Sequence, residues 1–517
     1  MPLNPNRARS FVDSYENMTE KQRVRNYPLF FNQVKINNFR HLTNLDMRFR
    51  HPITVISGSN KNGKTSILMT IACSHFNFDR QDVVSGEWRR ATWSDVVRFT
   101  DHDNQSSDWS YSVNFRMGKS CFTLSGRRNL NTKKWSGVAK KENQIGHPKF
   151  PGDISGRHVC LLDVNRINPA RHLSKTVFRK AKVASRSAII ESSTIKEYLS
   201  YILEVPYADI ESLTAQGDST IYCLSHGLGQ VYSSFNTASG EDVLINLIGQ
   251  IMHMPENSLI LIDEIEIGLH PKIQRRLMDV LYIISQTRHI QFIIVSHSYA
   301  VIDSVPVNSR IFLDRTGGVV SVKSGLSTYE TLTRMDSQIF PCAELFVEDD
   351  VSHWIVDKAI NDINSVDPGF ARLIKIYEIG SADQTYNCFQ FQKALRNKGQ
   401  NGAKPICILD GDMRNMKDSN GNIQYPAQPD LFFHFSDKAP EKILLEKYLN
   451  NNPNESLRYH LDNSNPHCLL EKIVESGLTS TKKEAFNIAF DCYRTSSDGA
   501  VHYDELKTFL KNAVMNP

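Results

Sequence analysis

Residues Gly58-Ser59-Asn60-Lys61-Asn62-Gly63-Lys64-Thr65 follow the spacing G-x-x-x-x-G-K-S/T. Glycines at these points let backbone N–H groups wrap an anion, and a helix that starts at the loop adds its positive dipole end. Lys64 is then placed to reach the β- and γ-phosphates of a nucleotide, and the Thr65 hydroxyl to hold Mg2+. Asn60, Asn62, Gly63 and Ser66 complete the expected cradle. Downstream, Asp263 and Glu264 end the apolar run Leu259–Ile262. Asp263 can hold Mg2+ through water, and Glu264 can orient or deprotonate an attacking water. His297 stands just beyond a second apolar run, Phe292–Val295, within reach of a γ-phosphate. A separate acidic group follows. Glu348 ends the run Ala343–Val347, and Asp410 and Asp412 end Pro405–Leu409. Three hard oxygen ligands bind Mg2+ or Mn2+ and keep water positions open.

These side chains need parallel strands to bring them together. Ile53-Thr54-Val55-Ile56 is a short β-branched run of the kind that forms a buried strand. It feeds the glycine loop, and a helical stretch follows from Ile67 to His75. The runs before Asp263 and His297 repeat the pattern, so an α/β fold with its chemistry at one sheet edge is expected. Residues 80–160 read as a β- and loop-rich insertion containing the polar run Thr100–Asp103, taken as a solvated turn. Lys175 to Leu203 reads as a helix with a basic start at Lys175, Arg179, Lys180, Lys182 and Arg186. Beyond Cys342 the order is β-α-β-α-β, with strands at Ala343–Val347, Arg372–Ile379 and Pro405–Leu409. In a parallel sheet the ends of the first and third strands share an edge, so Glu348, Asp410 and Asp412 can converge. Arg494–Glu505 imitates a calcium loop, but its first position is Arg494 where an acid is required. That segment is expected to be a small helical cap with a turn at Asp498-Gly499.

Composition narrows the class. At 517 residues the chain has room for about two or three domains. No apolar run is long enough to span a bilayer, and Met1–Arg25 lacks the apolar stretch of a secretory signal. Nine cysteines include no C-x-x-C pair, which fits a reducing cytoplasm and excludes a disulfide scaffold or zinc ribbon. The net charge of +4 is unevenly spread: residues 336–517 carry 19 Lys+Arg against 26 Asp+Glu, leaving 41 against 30 upstream. The basic first half is suited to a phosphate backbone.

Several of these motifs together resemble a known family. Asn38-Phe39-Arg40, the glycine loop, Ser239-Gly240-Glu241, Ile262-Asp263-Glu264-Ile265-Glu266 with Gly268-Leu269-His270-Pro271, and Ser296-His297-Ser298 are similar to ATPase heads of the RecF/SMC-like branch of the ABC superfamily. That likeness implies that Ser239 and Gly240 belong to a signature loop, that His297 is a switch histidine, and that two heads close over ATP. It leaves the coupling glutamine unassigned. Val347-Glu348 with Asp410-Gly411-Asp412 resembles a Toprim domain. It departs from the family at Asp349, where glycine is usual, and at Ser352, where many Toprim nucleases carry an acid; Asp349 and Asp350 are the candidates to replace it. An ATPase head followed by Toprim resembles the OLD (overcoming lysogenization defect) nucleases, many of which act against phages, some with a partner protein or a retron. Glu441 and one of Lys438, Lys482 or Lys483 are implied as catalytic helpers.

The expected division is an arm at 1–29, head segments at 30–172 and 231–335 around a helical, dimerising insertion at 173–230, Toprim at 336–450 and a helical region at 451–517. The expected activity is ATP-regulated, metal-dependent cutting of DNA or RNA by a cytoplasmic homodimer or dimer of dimers, with ATP and Mg2+ as cofactors and Mn2+ as an alternative at the second site. The competing reading is an ATP-driven DNA-binding or repair clamp whose Toprim domain only recruits a partner. A topoisomerase would need a domain for a tyrosine nucleophile and a primase would need template-binding modules; neither is visible.

Overall fold

The computed structural model describes residues 3–81, 88–97, 108–138, 140, 143–147, 157–164, 175, 179, 185–187, 192–214, 220–226, 229–316, 318–335, 341–397 and 402–515. Thr100–Asp103, Lys180 and Lys182 lie outside them. The chain divides into two compact units, Met1–Thr328 and Tyr329–Pro517. Among the described residues no helix is long and apolar enough to cross a membrane.

An eight-stranded sheet organises the first unit. Its order is Val319–Ser324, Arg310–Thr316, Ile53–Gly58, Gln291–Val295, Leu259–Ile262, His158–Leu162, Asn77–Gln81, Trp88–Arg90. The middle six strands run parallel and the outer two join antiparallel. Ile53–Gly58, Leu259–Ile262 and Gln291–Val295 are buried at every position, which is why their sequences are continuous apolar runs and not alternations. Helix Lys64–Cys73 leaves the sheet edge and buries Ile67, Leu68, Ile71 and Ala72. These pack with Phe31, Val34 and Ile36 from a five-stranded antiparallel sheet, so one core fills the space between two sheets.

Two expectations fail here. The expected arm at 1–29 is folded over its described residues. Helix Pro5–Asp13 is capped by Asn4, and helix Glu20–Asn26 opens with a Thr19–Gln22 capping box. Ala8 and Val12, four apart, bury one face, Arg9 donates to Asp279 at 2.9 Å, and Tyr15 stacks on Phe30. The apolar stripe is only two residues wide, which hides it among charges. Among its described residues the 173–230 insertion is not mainly helical either. Helix Ser192–Leu203 accompanies a four-stranded antiparallel sheet of Ser185–Ser187, Tyr207–Thr214, Thr220–His226 and Val231–Ser233. A bulge between Tyr207 and Asp209 breaks the alternation that would have marked its second strand.

The second unit holds a four-stranded, all-parallel sheet in the order Ile374–Glu378, Ala343–Val347, Lys404–Leu409, Leu431–Phe433. Helices Asp350–Val366 and Ala382–Asn397 make the crossovers. The expected boundary at 450 has no physical counterpart. Leu345 and Ile408 of the sheet share one core with Leu470, Phe486, Leu506 and Val514 of the later helices. Nor is there a turn at Asp498-Gly499. Helix Lys482–Thr495 stops at Ser496, whose Oγ accepts from Gly499 N at 3.2 Å, and helix Ser497–Met515 starts at once.

Candidate nucleotide and metal sites

In the first unit the parallel strands bring Gly58, Asp263 and Ser296 to one edge. Gly58 has φ +139°, and a Cβ there would lie 2.5 Å from Leu313 O, so only glycine lets the loop leave its strand. Asn62 Nδ2 donates to Leu313 O at 2.7 Å and pins the loop to the next strand. Lys64 folds into the loop and donates to Gly58 O at 2.7 Å and Ser59 O at 2.9 Å. Burial lowers the Lys64 pKa to about 8 against the opposing pull of Asp263, Glu264 and Glu266. Thr65 Oγ1 donates to Asp263 Oδ2 at 2.8 Å, so the two groups assigned to one cation already meet. Ser66 is buried, and its hydroxyl accepts from Arg40 at 2.9 Å. Asn60 is exposed at the loop tip.

Glu264 sits beyond Asp263 with φ +51°, a left-handed conformation that a non-glycine residue adopts at a cost. Two residues on, Glu266 Oε1 accepts from His297 N at 2.6 Å and ties the acidic loop to the histidine loop. Burial, then Lys64, lowers the His297 pKa; its Nε2 is buried with no hydrogen-bond partner among the described residues. A half-buried imidazole with an open nitrogen at this edge is suited to an incoming phosphate. Ser239 and Gly240 open helix Ser239–His253, and a Cβ on Gly240 would approach Gly268 O to 3.1 Å. The roles of Glu266 and Gln274, which bonds Ser298 and Leu269 O, were not legible from spacing. Neither was the Arg80–Asp163 pair, in which two guanidinium nitrogens donate to Asp163 Oδ2. Each joins segments far apart in sequence.

The second unit gathers its acids differently from the expected trio. Glu348 and Asp410 lie at the ends of adjacent strands, and Asp410 N donates to Glu348 Oε1 at 2.7 Å. Asp349 caps helix Asp350–Val366 by accepting from Ser352 N, and Ser352 Oγ donates to Asp410 Oδ1 at 2.9 Å. Among the described residues, Asp349, Asp410 and His467 offer ligand atoms within 4.8 Å of one another. Asp412 is exposed in the short helical turn Gly411–Met413 and is not in that group. Asp349, one of the two candidates for the missing acid, lies in this group, and His467 was missed altogether. Glu441 is 1% exposed, and its Oε1 lies 3.2 Å from His467 Nδ1. Lys482 pairs with Asp350 at 2.9 Å, while Lys438 pairs with Glu446.

Burial raises Glu348 to about 7, with Asp349 and Asp412 adding to the shift. Asp410 is raised by burial, then by Glu348, Asp349 and Glu441, and Asp349 and Asp412 are raised by burial. Crowded carboxyls that resist ionising are what a divalent cation relieves.

Gly411 explains the Asp-Gly-Asp order. A Cβ there would stand 2.2, 2.3 and 2.4 Å from the backbone oxygens of Phe435, His434 and Ser436. Backbone carbonyls cannot rotate aside, so Gly411→Ala is expected to cost about 3 kcal/mol, the upper end for overpacking. Thermal melting tests this; an unchanged melting temperature would mean the close approach is absent.

A family model described as "AAA domain, putative AbiEii toxin, Type IV TA system" matches residues 156–303, and one described as "AAA domain" matches residues 33–221. The chain carries an AAA-type ATPase domain, whose cofactors are ATP and a divalent cation, typically Mg2+. No curated protein matches the chain. Similar solved structures include an SMC head domain from Thermotoga maritima, 13% identical with a TM-score of 0.35, covering 57% of this chain and 98% of that one. An SmcHead bound to the C-winged helix domain of ScpA is 12% identical with a TM-score of 0.38, covering 57% and 97%. An Smc head with an extended coiled coil, bound to a ScpA domain and derived from Pyrococcus furiosus, is 10% identical with a TM-score of 0.37, covering 57% and 96%.

Proposed function

We propose that this chain is an ATP-regulated, metal-dependent nuclease of the OLD-like kind, with a Toprim domain in its second unit. The observation that carries the reading is the carboxylate cluster at the ends of two adjacent parallel strands, following an ATPase domain in the same chain. Lys64 neutralises nucleotide phosphate charge, Thr65 and Asp263 hold the cation of the nucleotide, Glu264 orients the attacking water, and His297 meets the γ-phosphate. In the second unit Asp410, Glu348 and Asp349 hold the ion, with Asp412 at the rim facing substrate. A divalent cation held there supplies charge neutralisation at the scissile phosphate and an activated water. The substrate is DNA or RNA, held by the basic first half, and phage defence is the setting the resemblance implies. Cleavage of supercoiled, linear and single-stranded nucleic acids, with Mn2+ and with or without ATP, tests the reading. No cleavage under any of these conditions would leave the second reading, a recruiting clamp, which Ser352 favours by filling an acid position with a hydroxyl bonded to Asp410.

Each chain has one phosphate loop and one signature loop, so the working ATPase is a homodimer, or a dimer of dimers, in which Ser239 and Gly240 of one copy close over the nucleotide of the other. Glu264→Gln is expected to keep ATP binding, stop turnover and trap the closed pair. Light scattering with ATP should then read twice the chain mass, or four times it for a dimer of dimers; a monomer that still hydrolyses ATP would refute the arrangement.

A further inference from the structure

We propose that His467 is a ligand of the metal held at the acidic edge, oriented by Glu441, so that the site is a mixed nitrogen–oxygen one that takes Mn2+ in preference to Mg2+. The proposal rests on the metal-site reading above and adds the residue that sets which ion is taken.

His467 enters from outside the parallel sheet. It lies in the short turn Pro466–Cys468, between helices Glu455–Asn463 and Leu469–Glu475. The turn is fixed by Asn465, whose side chain accepts from His467 N at 3.1 Å. From there the imidazole reaches back to Asp349 and Asp410, and one ligand atom from each of the three falls within 4.8 Å of the others. Acids alone would be weak grounds, because such clusters occur without ions. The independent observation is Glu441. It is 1% exposed, its Oε1 faces His467 Nδ1 at 3.2 Å, and its Oε2 has no hydrogen-bond partner among the described residues. His467 Nδ1 also lies 3.9 Å from Asp349 Oδ2; with Nδ1–H donated to Glu441 the ring would offer Nε2 to the ion, and a carboxylate on the other ring nitrogen is the usual partner of a metal-ligating imidazole, fixing the ring and raising its basicity.

The donor set decides the ion. Mg2+ demands oxygen ligands in a near-ideal octahedron and keeps its waters, whereas imidazole is a good ligand for first-row transition ions. Mn2+ accepts both donor types, and Asp410, Glu348 and Asp349 with one imidazole still leave positions for water and a phosphate oxygen. The competing role for His467 is a plain counter-ion to Glu441 and Asp349, which needs no metal.

The two roles separate by spectroscopy. Mn2+ is titrated into the full-length, nucleotide-free protein and followed by electron paramagnetic resonance, with pulsed measurement of nitrogen coupling. The expected result is one bound Mn2+ that shows 14N modulation, disappears in Asp410→Asn, and changes its modulation frequency when histidines are labelled with 15N. His467→Gln, a change at an exposed position, should remove the modulation and weaken Mn2+ about 10–100-fold while moving Mg2+ affinity little. Glu441→Gln should keep the modulation and weaken binding. Mn2+ that is lost in Asp410→Asn but never shows nitrogen coupling would overturn the ligand role of His467 and leave the carboxylate site standing. Mn2+ binding that is indifferent to Asp410→Asn would overturn the metal-site reading as well. The isotope arm needs no variant, so a misfolded mutant cannot obscure the answer.

Discussion

Lys64→Ala should weaken ATP binding at least about 100-fold, equivalent to about 3 kcal/mol, the upper range for hydrogen bonds to a charged partner. The Lys64 ammonium is buried inside the loop and bonded only to Gly58 O and Ser59 O among the described residues. Those carbonyls are poor substitutes for the charged phosphate oxygens that nucleotide would bring, so its transfer to ATP is favourable. Alanine removes both the charge and its N–H donors while leaving the glycine backbone able to turn. Calorimetric titration with ATP and Mg2+ measures the loss. Binding as tight as wild type would refute the assignment of Gly58–Thr65 as the phosphate site.

Asp410→Ala should abolish nucleic-acid cleavage, by about 1,000-fold or more if the bound ion supplies some 4 kcal/mol of transition-state stabilisation. ATP hydrolysis should persist, because every residue assigned to it lies in Met1–Thr328. Stability offers a control. Glu348 titrates near 7 in the fold, above its ordinary value of 4.5, so it favours the folded state at low pH. That contribution declines as pH rises from 4.5 to about 7, the window in which the unfolded chain ionises more readily than the folded one. In chelator Asp410→Asn is expected to melt no lower than wild type, since burial and the neighbouring carboxyls Glu348, Asp349 and Glu441 oppose ionisation of Asp410 and an amide has no charge to bury. A large drop in melting temperature would assign Asp410 a structural role. Cleavage equal to wild type would remove it from the chemistry.

The sequence made the strand ends legible where chemistry and burial coincide in one short run. Ile53–Thr65, Leu259–Glu264 and Phe292–His297 each place a continuous apolar strand directly before polar residues, and each emerges at the same sheet edge. Glu348 and Asp410 were visible for the same reason. What stayed hidden depends on contacts between distant segments. Glu266 meets His297, Arg80 meets Asp163, and His467 meets Asp349 across more than one element of chain. Helix Pro5–Asp13 was hidden because its buried face is only Ala8 and Val12. The sheet at 207–233 was hidden by its bulge and by a basic run upstream that favours a helical reading.

The shared core of the second unit has a consequence for biosynthesis. Leu345 and Ile408 beside the acidic edge are covered by Leu506, Leu510 and Val514, which leave the ribosome about a hundred residues after Asp410. A nascent chain that has already extruded Asp410-Gly411-Asp412 still lacks Glu441, His467 and the helices that bury its sheet. Translation that stops early, or a nick after residue 450, yields a chain with its phosphate loop complete and its second unit uncovered and open to proteolysis. The acidic edge of this unit is therefore assembled only once the segment from Glu441 to Val514 has been made.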